Sequence, residues 1–282
     1  MKNFLIILLF LTQISLQTFS QSSLKNTKFG SSLVNGKYAT IDGIKLYYET
    51  YGKGAPLLLL HGGLGSIANF EKCIADLASH YKVIALDSPG HGRSGTTNTL
   101  SYDLLTDYIS KFIDYLNVDS IYVLGWSDGG VVGILLAAER PDKVKKLIAV
   151  GANTRSDGMS DESVSWTKNE MITALKNDKD WMKTYLSLTP DPENIDNYLL
   201  NTQKMWLTDI YIPESKLRLM HVPTLLVQGD RDEIKIEHIT EIYRQIKNAQ
   251  LCILPNTTHF VFSEKPKMIN SLAFDFFGFK KK

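Results

Sequence analysis

The chain has no excess charge of either sign: 31 Lys and Arg stand against 30 Asp and Glu in 282 residues. So even a balance gives no electrostatic footprint for nucleic acid or for a strongly anionic surface partner. Cysteine is scarce as well. Cys73 and Cys252 lie far apart in apolar surroundings and read as buried free thiols, with neither a disulfide framework nor a metal-ligand spacing. There is no internal repeat and no low-complexity segment. What remains is an ordinary globular composition, 44% hydrophobic, and a length suited to one large domain or a domain with an insertion.

Only the N-terminus carries an extended apolar run. Lys2 precedes apolar residues 4–11, which continue more weakly to Phe19, and Thr18 and Ser20 then form a small-x-small pattern. That order of charge, apolar stretch and small residues is the order of a secretory signal peptide. It turns polar too soon for a comfortable membrane span, and no cysteine follows it to carry a lipid anchor. Residues 1–20 therefore read as a signal peptide cleaved near Ser20 or Gln21, which implies a secreted or periplasmic protein with no stable membrane span after cleavage. Residues 21–36, rich in Ser, Asn and Lys, read as a flexible lead-in.

From residue 37 the pattern is regular. Two alternating segments flank Asp42-Gly43, a hairpin signal. Residues 57–60 are a continuous apolar run, as expected of a strand buried on both faces, and 82–86 read as another buried strand. Amphipathic helical patterns fall at 69–79 and 101–116, the second capped by Ser101. Further strands are expected at 121–124 and 144–150. Alternation of buried strands with helices predicts a mostly parallel sheet flanked by helices on both faces. The alternation stops after Asn153. From 154 to 220 the chain is helix-like, rich in Trp, Met, Asn and Asp, and broken by Pro190, Pro192 and Pro213. This reads as an inserted helical lid, with Trp166, Trp181 and Trp206 as its own core rather than as pocket walls. The sheet pattern resumes at 224–227, so the core comprises 37–153 and 221–282.

Within the core, Gly125-Trp126-Ser127-Asp128-Gly129 joins an apolar strand to an Ala/Leu-rich helix. Strand, G-x-S-x-G and helix together form the context of a nucleophile elbow. The chain must reverse in very few residues, which forces Ser127 into a strained conformation and lifts its hydroxyl clear of the sheet. Gly125 and Gly129 leave room where strand and helix converge. A serine hydroxyl also needs a base. Of six histidines, His61 and His91 sit in turns and His80, His221 and His238 at element ends, where structural roles fit. His259 follows the last strand, and loops after parallel strands share the edge that carries the elbow. The base needs an anionic orienter, and Asp230 and Asp232 compete after the preceding strand. Asp232 is preferred, because the residue three beyond Gly229 can fold back toward His259. For the oxyanion, the Asp128 N–H at the helix start and the Gly63 N–H in His61-Gly62-Gly63 are the expected donors; losing one such donor costs about 3 kcal/mol of barrier.

Hairpin, His-Gly-Gly, Asp-x-Pro-Gly-His-Gly-x-Ser, Gly-x-Ser-x-Gly, Gly-x-x-Asp and a late His together resemble the α/β-hydrolase superfamily, over roughly residues 38–277 outside the lid. Gly125-Trp-Ser-Asp-Gly-Gly130 followed by Gly151-Ala-Asn153 is similar to the valacyclovir hydrolase, or biphenyl hydrolase-like, group. That resemblance implies that the acid after the nucleophile, Asp128 here, holds the α-amino group of aminoacyl esters. Two departures are visible: Asp87-Ser-Pro-Gly90 stands where the group usually has Asp-Pro-Arg-Gly, and the lid does not match closely. The expectation is an esterase with the triad Ser127, Asp232 and His259, acting on a small-molecule ester with neither cofactor nor metal. Aminopeptidase, thioesterase and carbon–carbon bond hydrolase are the alternatives on the same scaffold. A binding protein that has lost turnover is the alternative from another class.

Overall fold

A computed structural model of the chain describes residues 28–278. Eight strands form one sheet: β1 (Gly36–Ile41), β2 (Ile44–Tyr51), β3 (Ala55–Leu60), β4 (Tyr81–Leu86), β5 (Ile121–Trp126), β6 (Val144–Val150), β7 (Thr224–Gly229) and β8 (Gln250–Leu254). Their spatial order is β1-β2-β4-β3-β5-β6-β7-β8. The β1–β2 hairpin and the β2–β4 pair are antiparallel, and every other pair is parallel. The hairpin turns on Asp42 and Gly43, both at positive φ.

The central strands alternate between two apolar layers, as the two-residue period of a strand requires. Leu58 and Leu60 of β3 face one cluster, and Leu57 and Leu59 face the other. The first layer is closed by α2 (Tyr102–Tyr115), α3 (Asp128–Glu139) and α9 (Ile236–Gln245). The second is closed by α1 (Glu71–Leu77), preceded by a 3₁₀ turn at Ile67–Phe70, and by α11 (Pro266–Phe277), which the short α10 (Val261–Glu264) leads into. Helix α3 is apolar around most of its circumference because it lies between the sheet, α2 and the lid; ten of its residues are buried. The sequence pattern at 69–79 places one helix where the structure has the 3₁₀ turn and α1.

Between β6 and β7 the chain forms the inserted helical lid: α4 (Asp161–Asn169), α5 (Met171–Asn177), α6 (Lys179–Leu188), α7 (Ile195–Lys204), a π-helical turn at Met205–Asp209, and α8 (Glu214–Arg218). Two isolated bridges, Arg155 with Tyr211 and Met159 with Ile234, tie its ends together and to the loop after β7.

Two expectations need correction. The lead-in is only partly among the described residues, and the part that is described is not loose. The N–H groups of Gly30 and Ser32 donate to the two carboxylate oxygens of Glu49 at 2.8 and 2.7 Å. The same fully buried carboxylate accepts from the hydroxyls of Tyr47 and Tyr51. A buried charge needs such partners, and here they pin the segment to β2. Of the two free thiols only Cys73 is buried; Cys252 on the last strand is half-buried, because β8 is the sheet's edge. The signal-peptide reading of residues 1–20 lies outside the described residues. No helix of the described residues is long and apolar enough to cross a membrane.

Candidate active site

Ser127 sits between β5 and α3 with φ 53° and ψ −119°, a conformation that L-residues rarely adopt. Its surroundings hold it there. The Ser127 N–H donates to the Val150 carbonyl at 2.8 Å, and its own carbonyl accepts from Gly130 and Val131 at the start of α3. A Cβ at Gly125 would run into the Gly129 carbonyl, and one at Gly129 into the Leu60 carbonyl. The turn is therefore possible only where both side chains are absent.

Loops from three more strand ends meet at this point. His259 Nε2 lies 2.9 Å from Ser127 Oγ, and His259 Nδ1 lies 2.8 Å from Asp232 Oδ1. The Asp232 side chain is fully buried, and His259 is 13% exposed. Asp232 Oδ1 also accepts from the Ile234 N–H at 3.0 Å, which fixes the carboxylate plane. The backbone of His259 is fixed in turn, since Trp126 Nε1 donates to its carbonyl at 2.9 Å. Burial alone would lower the imidazole pKa. The hydrogen bond and charge of Asp232 outweigh it, and the His259 pKa is raised above the usual histidine value.

Of the two competing acids, Asp232 reaches the histidine. Asp230 instead accepts from the Thr257 N–H at 3.0 Å and ties the β7 loop to the β8 loop. The other histidines are otherwise engaged. His61 Nε2 accepts from the Ser88 N–H, His91 Nδ1–H donates to the Pro89 carbonyl, and His238 Nε2 accepts from the Thr154 N–H. Desolvation pushes the His61 pKa down to about 3, so His61 serves as a neutral acceptor inside the turn.

The N–H groups of Gly63 and Asp128 donate to no backbone carbonyl among the described residues. Both residues line the cavity that holds Ser127. The first amide belongs to the loop after β3, and the second opens α3 with the helix dipole behind it. Beneath the Gly63 loop lies Asp87, fully buried, accepting from the N–H groups of Ile67 and Arg93 at 2.8 Å each. Burial pushes the Asp87 pKa up to about 7.

Asp128 itself is buried, and its side chain is occupied. Tyr102 Oη donates to Oδ1 at 2.7 Å, and Trp206 Nε1 from the lid lies 3.0 and 2.9 Å from Oδ1 and Oδ2. Desolvation raises its pKa, against the effect of these two donors. Sequence reasoning missed both partners. Nothing local points to them: they are 26 and 78 residues away.

The cavity has a volume of about 330 Å³. All four tryptophans of the chain, Trp126, Trp166, Trp181 and Trp206, line it. This corrects the expectation that the three lid tryptophans form the lid's own core. Trp181 and Trp206 do pack on the apolar layer, but each also presents a face to the cavity. Among the described residues the lining includes the carboxylates of Asp128 and Glu233, and neither lysine nor arginine. Among the described residues no cluster of His, Cys, Asp and Glu could hold a metal ion.

With this geometry in place, the comparisons with known proteins assign the class. Residues 55–196 match the model of the alpha/beta hydrolase fold family, and the chain belongs to that family. Among curated relatives it is 26% identical over 262 residues to an uncharacterized hydrolase, YugF, of Bacillus subtilis, covering 84% of this chain and 96% of that one. It is 28% identical over 255 residues to a pimeloyl-[acyl-carrier protein] methyl ester esterase of Nitrosospira multiformis, covering 79% and 94% of the two chains. It is 26% identical over 268 residues to the human serine hydrolase BPHL, covering 88% of each. A similar solved structure is a meta-cleavage product hydrolase (CumD) of Pseudomonas fluorescens, with a TM-score of 0.74 at 22% identity, covering 87% of this chain and 98% of that one. The chain is thus a hydrolase of the α/β fold.

Proposed function

We propose that the protein is a serine esterase of small carboxylic esters, working through an acyl-enzyme on Ser127. The observation that carries the proposal is the continuous line of hydrogen bonds from Asp232 to His259 to Ser127, at 2.8 and 2.9 Å, ending in a cavity beside two amides that donate to no backbone carbonyl among the described residues. His259 Nε2 takes the Ser127 proton as Oγ attacks the carbonyl carbon. The Gly63 and Asp128 N–H groups hold the oxyanion, and His259 returns the proton to the departing alcohol. Water, deprotonated by the same imidazole, then releases the acid and restores Ser127. Asp232 stays ionised and stabilises the imidazolium.

The curated relatives leave ester and carbon–carbon bonds both open, and one feature of the cavity favours an ester. Curated relatives include methyl ester esterases as well as a dienoic acid hydrolase. Among the described residues the cavity lining has no lysine or arginine to hold a substrate carboxylate, which disfavours an acid as substrate. The test is a serine-directed fluorophosphonate with the wild type and Ser127→Ala. Labelling of the wild type alone supports the reading, and equal labelling of both, or of neither, overturns it.

Within that class, esters bearing an α-amino group are the finer reading, resting on Asp128 and on its similarity to the corresponding acid of the biphenyl hydrolase-like group. Asp128→Ala lowers kcat/KM for aminoacyl p-nitrophenyl esters far more than for neutral acyl esters if the amine is held there; equal losses sink the idea. Residues 1–20 further support an exported, secreted or periplasmic, site of action.

A further inference from the structure

A second cavity of about 410 Å³ lies against the first. Leu64, Gly65, Asn69 and Trp181 line both, so the partition between them is the end of the oxyanion loop on one side and one lid tryptophan on the other. One wall of the second cavity, running inward from the partition, is aromatic. Trp181 and Tyr185, one turn apart on α6, stack at 5.4 Å between centroids and 14° between planes. Tyr185 stacks on Tyr198 of α7 at 5.4 Å and 17°. Three rings in near-parallel register form a ladder that starts at the partition. Tyr198 is buried at the inner end, and the edge of His91 packs against it at 5.2 Å.

The facing wall is short and polar. Asn69 accepts from the Ser66 N–H through Oδ1, and Ser66 Oγ accepts from the Ala68 N–H. Among the described residues the lining also includes the carboxylates of Glu71 and Asp180, but no lysine, arginine or histidine. The terminal ring of the ladder, Trp181, has a flat, polarisable face left for another flat ring or a positive charge, while Tyr185, stacked on both neighbours, meets a ligand ring edge-to-face. Two acids and no base in the described lining bias the cavity against anions, although Lys72 and Lys179 stand beside those acids in the chain.

We propose that this second cavity is a distal substrate subsite, which takes a planar aromatic group, neutral or cationic but not anionic, carried on a flexible arm of the ester held at Ser127. The assignment rests on the esterase reading, since the arm is defined by its link to the scissile bond. Trp181 serves as the boundary: its ring borders the reacting group on one side and begins the ladder on the other. Two linked chambers on either side of one side chain bind a two-part ligand more tightly than either part alone, because the second contact is intramolecular. The Glu71 and Asp180 carboxylates then sort ligands by charge, and the ring ladder sorts them by shape.

The test compares p-nitrophenyl acetate with p-nitrophenyl 5-phenylpentanoate, and with versions of the latter bearing a trimethylammonio or a carboxylate group on the terminal ring. A parallel series places the same arms on the alcohol side, as acetates of the arylalkanols. In the wild type, the kcat/KM ratio of the neutral or cationic aryl ester to acetate exceeds that of the carboxylate-tipped ester. Tyr185→Ala lowers the aryl-to-acetate ratio roughly tenfold, through KM, because an aromatic partner is lost. Thr184→Trp, on the same cavity's rim, fills the space and lowers the ratio without removing any ring. Asp180→Asn together with Glu71→Gln brings the carboxylate-tipped ester level with the cationic one. Ratios that do not move in either series with Tyr185→Ala and Thr184→Trp overturn the proposal, as does a carboxylate-tipped ester preferred by the wild type. Binding of 5-phenylpentanoate amide to Ser127→Ala, read by quenching of tryptophan fluorescence and its loss in Tyr185→Ala, separates the two readings. Binding with no ester turnover by the wild type sinks the esterase and spares the subsite. Turnover with no such binding does the reverse.

Discussion

The sheet edge and the helical lid enclose the same cavity under opposite constraints. Helix α3, which begins at the residue after Ser127, has ten buried residues, whereas α6 of the lid, which carries Trp181, has none. The edge is fixed from several sides at once: a positive-φ serine, two glycines packed against carbonyls, and loops laced together by Asp230 and Trp126. The lid reaches the chemistry through single contacts, chiefly Trp206 on Asp128. In a close-packed region a change in one atom is felt at once, while a thinly packed helix can be re-cut with little penalty to the fold. On the proposed esterase reading, the reaction geometry belongs to the edge and the choice of substrate to the lid.

Substitutions at graded distances from the edge sharpen this contrast. Asp232→Asn carries the largest effect, a fall in kcat on the order of 10⁴-fold with Ser127 still in place, because the imidazole loses the partner that sets its tautomer. Its pH profile is diagnostic. Asp232 raises the His259 pKa, and the reaction needs neutral imidazole, so wild-type kcat/KM falls as pH drops through a value above the usual 6.5. Removing the carboxylate moves that acid limb to lower pH. An unmoved limb would mean that Asp232 does not govern the base.

Gly63→Ala comes next. The new Cβ would be driven into the Asp128 carboxylate and the Trp206 ring, displacing the loop that offers the oxyanion amide. The expected loss is roughly 10²-fold in kcat with little change in KM, as for a lost oxyanion donor. A loss confined to KM would place the loop in binding alone. Trp206→Phe is the mildest. It takes the indole donor from a buried carboxylate, which destabilises the fold by about 1–3 kcal/mol. Thermal denaturation measures that. If activity instead falls as far as in Asp232→Asn, the division between edge and lid is wrong.

How much was legible in the sequence follows the same division. The β1–β2 hairpin, the buried strands and the elbow are short-range signatures, each complete within twenty residues, and the parallel topology then puts the C-terminal loops of the parallel strands on one rim. That made the meeting of Ser127, Asp232 and His259 readable before any coordinates. Asp232 could be preferred over Asp230 because of its spacing from Gly229. The lid was readable only as helical. Which way Trp166, Trp181 and Trp206 face depends on how separate helices sit over the cavity, and no periodicity within a helix records that. Asp128 teaches the same lesson. Its position beside the nucleophile is sequential, but its partners Tyr102 and Trp206 come from α2 and the lid. The pinned lead-in escaped notice because a Ser- and Asn-rich stretch looks loose until a distant buried Glu49 gives its amides a destination.

That hook has a practical corollary for anyone trimming the polypeptide. A shortened version starting at Lys28 keeps all four donors on Glu49: two peptide amides and two phenols. One starting at the first strand, Gly36, discards the two amides and leaves the Glu49 carboxylate with only the two tyrosine donors of the four. The natural place to cut, or to join a tag, is therefore upstream of Gly30, although the sheet itself begins only six residues later.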